Sequence, residues 1–350
     1  MKKILAIAIC FALLVVGQAE AAGELVGVSM PTRVVERWIF EGDFMRDQLV
    51  AAGYTVDLQF ANDQVPDQVS QIENMITRGA KFLIICPIDG AALSSVLATA
   101  KREGVLVLAY DRLLMGTEDV DYFVGFNSER IGNLMGQSLM KGIDADNAEG
   151  PLYIEYFAGS LDDSNTHLYF NGAVDMIKPY IDSGKVIVKS GQTSLSEVAT
   201  PGWEPLVAQD RMQNLLSAHY TADTVAGVLS PYDGLSLGII GALKAVGYGS
   251  AGRPMPAVTG QDCELPSLIS IWNNEQYSSI FLDLEVLAGR AVEVTKAMLE
   301  GQSIDMTKYY NNDVKDVPAY LAEAFELTKD NIKEYYFDRG TLTEDDLKLQ

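Results

Sequence analysis

From Leu25 onward, short β-branched runs alternate with helix-length amphipathic stretches, and the alternation starts again after residue 150. Strands need backbone partners and half-apolar helices need a face to cover. Repeated strand–helix units therefore resolve into a parallel sheet clad by helices on both sides. The first series of strands is predicted at Leu25–Met30, Val56–Phe60, Phe82–Cys86, Leu106–Tyr110 and Tyr122–Gly125. Helical spacing over Glu36–Ala52, Asp67–Gly79 and Ala91–Gly104 fills the gaps, with Gly53, Gly79 and Gly104 at the C-termini, where a left-handed cap suits glycine. The second series places strands at Leu152–Phe157, Val186–Lys189, Gly227–Leu229, Ala257–Thr259 and Ser278–Phe281. Its helices lie around Thr166–Tyr180, Pro205–His219, Leu235–Val246 and Pro266–Asn273. A further helix over Glu285–Glu300 precedes what reads as an irregular tail. Two α/β sheets of similar size describe two doubly wound lobes, and no 20–50-residue repeat or low-complexity tether intervenes.

The N-terminus has the pattern of an export signal: Lys2 and Lys3, a 14-residue apolar run over Ile4–Gly17, then Ala19-Glu20-Ala21 as a small-x-small cleavage site. Fourteen helical residues are too few to span a hydrocarbon core about 30 Å thick. Cleavage near residues 21–22 and a location in the periplasm or outside the cell are expected. Cys10 leaves with the signal, while Cys86 and Cys263 are expected to be free and buried, since three cysteines make no disulfide framework. The formal charge is −22, and loss of two lysines and one glutamate makes the remainder −23. Such a chain repels polyphosphate, which excludes nucleic acid as a partner.

Catalytic and cofactor motifs are absent: no Gly-x-Ser-x-Gly, no Walker-type loop, and no Gly-x-Gly-x-x-Gly after the first strand. Residues 144–155 resemble a calcium loop faintly, but Glu149 stands where glycine is needed. His167 and His219 lie far apart in sequence, so neither a metal nor a cofactor is expected. Ligands of open α/β sheets bind beyond the carboxyl ends of the strands. The residues there are Arg37 and Trp38, Cys86 and Asp89, Asp111 and Arg112 in the first series, and Asn165, Trp203, Tyr232, Asp233, Gln261 and Asp262 in the second. Aromatic faces can carry the C–H face of a sugar ring, while charged planar groups satisfy hydroxyls that both donate and accept. A local Asp111–Arg112 ion pair, Asp233 as a helix cap and core tryptophans are the alternative readings of the same residues.

Arg37-Trp38, Ser70-Gln-Ile-Glu-Asn74, Ala109-Tyr-Asp-Arg112, Gly159-Ser-Leu-Asp-Asp-Ser-Asn165, Lys178-Pro-Tyr-Ile-Asp-Ser-Gly-Lys185, Leu229-Ser-Pro-Tyr-Asp-Gly234 and Gly260-Gln-Asp262 occur in this order. Together they resemble the periplasmic aldose-binding proteins of ABC transporters, of the xylose-binding and multiple-sugar-binding type. The resemblance implies a type I periplasmic binding protein: two Rossmann-like lobes joined by a three-segment hinge that closes on the sugar. It divides the chain into a first lobe of residues 23–126 plus 283–306 and a second of 127–282 plus 307–350. Its implied sugar ligands are Arg37, Trp38, Asp111, Arg112, Asn165, Trp203, Tyr232, Asp233 and Asp262. Leu282 departs from the pattern, standing where relatives carry a polar ligand. The implied partners are a monosaccharide, the permease of an ABC importer and, as for some relatives, a chemoreceptor or sensor kinase, with the receptor itself a monomer. An extracellular carbohydrate-active enzyme is the competing class, with Asp111 and Asp262 as its carboxylates, but Arg112 beside Asp111 is expected to keep that group ionised.

Overall fold

A computed structural model describes residues 23–306 and 308–348; the signal segment lies outside the described residues. The first lobe begins β1 (Leu25–Met30), α1 (Glu36–Ala51), β2 (Thr55–Phe60), α2 (Val65–Thr77), β3 (Phe82–Ile85), α3 (Ser94–Arg102), β4 (Leu106–Tyr110) and β5 (Tyr122–Phe126). The second contains α4 (Ser128–Gly142), β6 (Leu152–Tyr156), α5 (Ser164–Asp182), β7 (Val186–Val188), α6 (Leu195–Val198), α7 (Pro205–His219) and β8 (Gly227–Leu229). It continues with α8 (Asp233–Ala245), β9 (Ala257–Val258), α9 (Leu265–Trp272) and β10 (Ser278–Leu282). The chain then crosses back through α10 (Leu284–Leu299), β11 (Lys308–Asn311) and β12 (Asp316–Ala322), and returns as β13 (Ala324–Thr328).

Seven strands in the order β11-β12-β5-β4-β3-β1-β2 form the first sheet, parallel except for the β11–β12 hairpin. Four parallel strands, β7-β6-β8-β9, form the second, and β10 pairs antiparallel with β13. The amides of Tyr277 and Ile280 donate to Val258 and Gly260, laying β10 beside the end of β9. The α/β class and the two-lobe reading agree with this architecture. Side chains alternate faces along a strand, and both faces of the first sheet are apolar: Phe82 and Ile84 join one core cluster, Leu83 and Ile85 another. That is the pattern of a sheet covered by helices on both sides. Gly53, Gly79 and Gly104 all take positive φ.

The expected boundary at residue 307 is corrected. Ala319–Ala322 pair in parallel with Phe123–Phe126, so 308–322 belong to the first sheet, and the third crossing falls at Glu323. The supposedly irregular tail therefore holds three strands. Helix α4 was also unforeseen, because glycines at 132, 136 and 142 weaken its helical pattern. They serve packing instead: a Cβ on Gly132 would lie 2.2 Å from the Tyr169 carbonyl oxygen of α5, and one on Gly136 would lie 2.5 Å from that of Ala173.

Candidate functional site

Three strand-end residues from the two lobes, Arg37, Asp111 and Asp262, meet in one buried cluster centred on Arg37. This arginine sits in the first turn of α1 and is 6% exposed. Its Nε and Nη2 donate to the two oxygens of Glu41, one helical turn on, each at 3.1 Å. Nη2 also reaches Asp111 Oδ2 at 2.8 Å, and Nη1 reaches Asp262 Oδ1 at 2.9 Å. The last bond crosses from one lobe to the other. Glu41 in turn accepts from Tyr110 Oη at 2.7 Å.

One guanidinium thus faces three carboxylates. Burial alone would depress its pKa, but Asp111, Glu41 and Asp262 outweigh that and hold Arg37 well above its ordinary value. Burial pushes Glu41 up to about 7 despite the opposing Arg37 charge. Burial also raises Asp262 against the pull of the same arginine. Two more negative groups than positive ones at this point make proton uptake by a carboxylate the expected direction.

Arg112 does not pair with its neighbour Asp111, contrary to expectation. Its Nε forms an ion pair with Asp163 Oδ2 at 2.8 Å, and its Nη1 donates to the Pro87 carbonyl at 3.3 Å. Asp163 caps α5 with its other oxygen, accepting from Asn165 N at 2.9 Å. The expected amide ligand, Asn165, donates to the Asp111 carbonyl at 3.1 Å and accepts from Ser128 Oγ at 2.9 Å. The cation that pairs with Asp111 is Arg37, and Arg37 ties it to Asp262 as well. Two carboxylates bridged by one guanidinium are poorly suited to act as acid and nucleophile across a glycosidic bond.

Backbone strain concentrates here. Asp111, Trp203, Asp262 and Cys263 have φ of 60°, 57°, 90° and 54°. Non-glycine residues in this region cost of order 1–3 kcal/mol each and gather where a side chain must be re-aimed. Asp111 leaves β4 with its amide on the Val124 carbonyl at 2.8 Å, which turns its carboxylate toward Arg37.

Trp38 is 5% exposed, with the guanidinium carbons of Arg37 and Arg112 at 4.3 and 5.5 Å from its ring centroid. Trp203 is half-buried in the second lobe and stands edge-on to Tyr232 at 6.1 Å. Its indole nitrogen is buried without a partner. Tyr232 Oη donates to Glu264 at 2.8 Å. Burial, reinforced by the Asp262 charge, pushes Glu264 up to about 7.

Asp233 is not presented to the cleft. Its oxygens accept from Gln276 Nε2, Ser279 Oγ and the Glu264 amide at 2.8–3.1 Å, and it is fully buried. A Cβ on Gly260 would lie 2.0 Å from its Oδ1. The carboxylate ties the start of α8 to β10 and to Glu264 inside the second lobe, and it accepts from no amide of α8, so it is not the cap of that helix. Leu282 is likewise in the apolar core, with Ile280, Leu287 and Ala288. Asp89 accepts from the amides of Ala91 and Ala92, a local turn. Cys86 and Cys263 are free and buried.

Glu41, Tyr110, Asp163 and Glu264 escaped the sequence reading. The spacing of Arg37 and Glu41 is the familiar i,i+4 ion pair, and their burial is what distinguishes this one. Gln261 and Tyr169 also border the cluster. Gln261 Nε2 lies 3.3 Å from Asp262 Oδ1 and 3.5 Å from Tyr169 Oη, while its Oε1 has no partner. Among the described residues, no group of three or more His, Cys, Asp or Glu side chains could hold a metal ion.

The periplasmic binding protein domain family matches residues 26–303. The multiple sugar-binding periplasmic receptor ChvE of Rhizobium radiobacter is 47% identical over 325 residues, 92% of each chain. The multiple sugar-binding periplasmic protein SbpA of Azospirillum brasilense is 46% identical over 324 residues, 92% of this chain and 91% of the relative. Among solved structures, an ABC transporter solute-binding protein from Clostridium phytofermentans with bound β-D-glucose superposes with a TM-score of 0.87 at 40% identity, covering 93% of this chain and 100% of the other. With its two lobes, three crossings and a polar cluster between them, the chain belongs to the periplasmic binding protein domain family.

Proposed function

We propose that the chain is an exported receptor that captures a monosaccharide, an aldopentose or aldohexose, between its lobes, delivers it to an ABC importer, and turns nothing over. The observation that carries this reading is the Arg37 bridge: a first-lobe guanidinium bonded at once to first-lobe Asp111 and second-lobe Asp262. Planar charged groups brought together from two rigid bodies suit a ring of neutral hydroxyls, each of which donates and accepts. The relatives named for several sugars and the glucose-bound neighbour support the same ligand class. Arg37, Asp111, Arg112 and Asp262 are the proposed hydroxyl partners, with Trp38, Trp203 and Tyr232 as aromatic walls. Asn165 keeps one amide proton for the sugar. The receptor acts as a monomer in the periplasm, and a chemoreceptor or sensor kinase, if it has one, would read the same closed form.

A thermal-shift panel of glucose, galactose, xylose, arabinose, ribose and fucose tests the ligand class. A sugar at a hundred times its Kd stabilises the fold by about 2.7 kcal/mol. At least one aldose should raise the melting temperature, and a flat response to all six would refute the proposal.

A further inference from the structure

The first turn of α5 touches the first lobe at three points. The Gly90 amide of the first lobe donates to the Asp162 carbonyl at 3.4 Å, Arg112 forms an ion pair with Asp163 at 2.8 Å, and Asn165 donates to the Asp111 carbonyl. Asp163 is the centre of this set. It is 3% exposed, and each of its oxygens is occupied: Oδ1 by the Asn165 amide of its own helix, Oδ2 by Arg112 from across the cleft. Because Oδ1 fixes the carboxylate on the helix end, Oδ2 meets Arg112 only when the lobes are together. Arg112 also has its Nη1 on Pro87 and its guanidinium carbon 5.5 Å from the Trp38 ring centroid, so the pair sets where this arginine lies.

We infer that Asp163 is a closure clasp: a positioning residue that touches no sugar, holds Arg112 in place and sets how long the closed form lasts. The inference rests on the receptor reading above. A clasp formed after encounter slows opening without changing entry. It also acts equally on every sugar, because it reads the position of the lobe and not the ligand. A residue in direct contact with the sugar would shift the preference between sugars.

Asp163→Asn separates these roles, since asparagine caps a helix about as well as aspartate while losing the charge on Arg112. Stopped-flow tryptophan fluorescence with D-glucose and D-xylose as probes, on the full mature chain, reads both rates. The expected result is dissociation faster by about tenfold or more, as when a buried ion pair loses one of its charges. Association rates and the glucose-to-xylose affinity ratio should stay as in the wild type. Unchanged dissociation, or an altered ratio, overturns the clasp while leaving the receptor reading intact. Wild-type protein that binds neither sugar nor any other aldose overturns both. Asp163→Ala, which removes the cap too, should melt lower than Asp163→Asn; equal melting of the two would contradict the double role of the carboxylate.

Discussion

Replacing Arg37 with methionine removes the one cation among Glu41, Asp111 and Asp262 and keeps most of the apolar stem. Breaking a buried ion pair by deleting one partner costs about 3–5 kcal/mol, because an uncompensated charge is left behind. Here three carboxylates lose a shared guanidinium whose bonds run from 2.8 to 3.1 Å. The cost must depend on pH, and its sign is fixed by the direction of the shifts. Glu41 already rises from 4.5 to about 7 with Arg37 present, a shift worth about 3 kcal/mol. A carboxyl whose folded pKa is raised binds its proton more tightly folded than unfolded. Its favourable contribution is complete below the unfolded value near 4.5 and is lost as pH climbs through the folded value near 7. Removing Arg37 raises Glu41 and Asp262 further, so the variant should be least stable relative to wild type near pH 8. It should recover more than half of the deficit by pH 5, where protons replace the missing cation. Urea denaturation followed by tryptophan fluorescence at both pH values measures this. A loss below about 1 kcal/mol at pH 8, or an equal loss at pH 5, would refute the argument that Arg37 compensates buried negative charge.

Leu282→Lys places an ammonium in the apolar core, where Leu282 is 4% exposed, so it should destabilise the fold by about 3 kcal/mol or more; a change in sugar ranking at unchanged stability would mean that the side chain faces the cleft after all. Asp111→Asn keeps the shape of the side chain but loses the charge on Arg37, and aldose affinity should fall by tenfold or more, about 1.4 kcal/mol, by calorimetry; full affinity would remove Asp111 from the site. Small-angle scattering should give a smaller radius of gyration with saturating sugar than without, and identical curves would place the ligand within one lobe.

Much of this molecule was legible because parallel sheets write their pattern plainly. The runs at Leu25–Met30, Phe82–Cys86 and Leu106–Tyr110 became β1, β3 and β4 within a residue, since both faces of such strands are buried and the apolar run is continuous. Pro205–His219 appeared as α7 with the bounds read from the sequence. Strand β11 was missed because it is the sheet edge, where Lys308, Tyr309 and Asn311 are exposed, and β12 beside it is only partly buried and carries Pro318 in its run. Helix α4 was hidden by glycines, of which Gly132 and Gly136 make room for a helix, α5, that follows it in sequence.

The cluster itself was half legible. Position beyond a strand end identified Arg37, Asp111 and Asp262, because topology alone sends such residues to the crevice. It could not tell which charge meets which. Asp111 and Arg112 are adjacent in sequence, yet the left-handed turn at Asp111 sends the aspartate to Arg37 and leaves Arg112 for Asp163. Asp233 failed for a related reason. Its strand-end position is correct, but Gln276, Ser279 and the Glu264 amide, all distant in sequence, draw its carboxylate into the lobe.

The central claim is that this receptor binds a free monosaccharide between its lobes without consuming it, and calorimetric titration of the purified mature chain tests it most directly. Titration with glucose, galactose, xylose, arabinose, ribose and fucose should give saturable heat at one site for at least one aldose. The Kd should be micromolar or tighter, about −8 kcal/mol or better, with the sugar recovered unchanged. No heat with any of them, or a continuing heat of turnover in place of a saturating one, would contradict it.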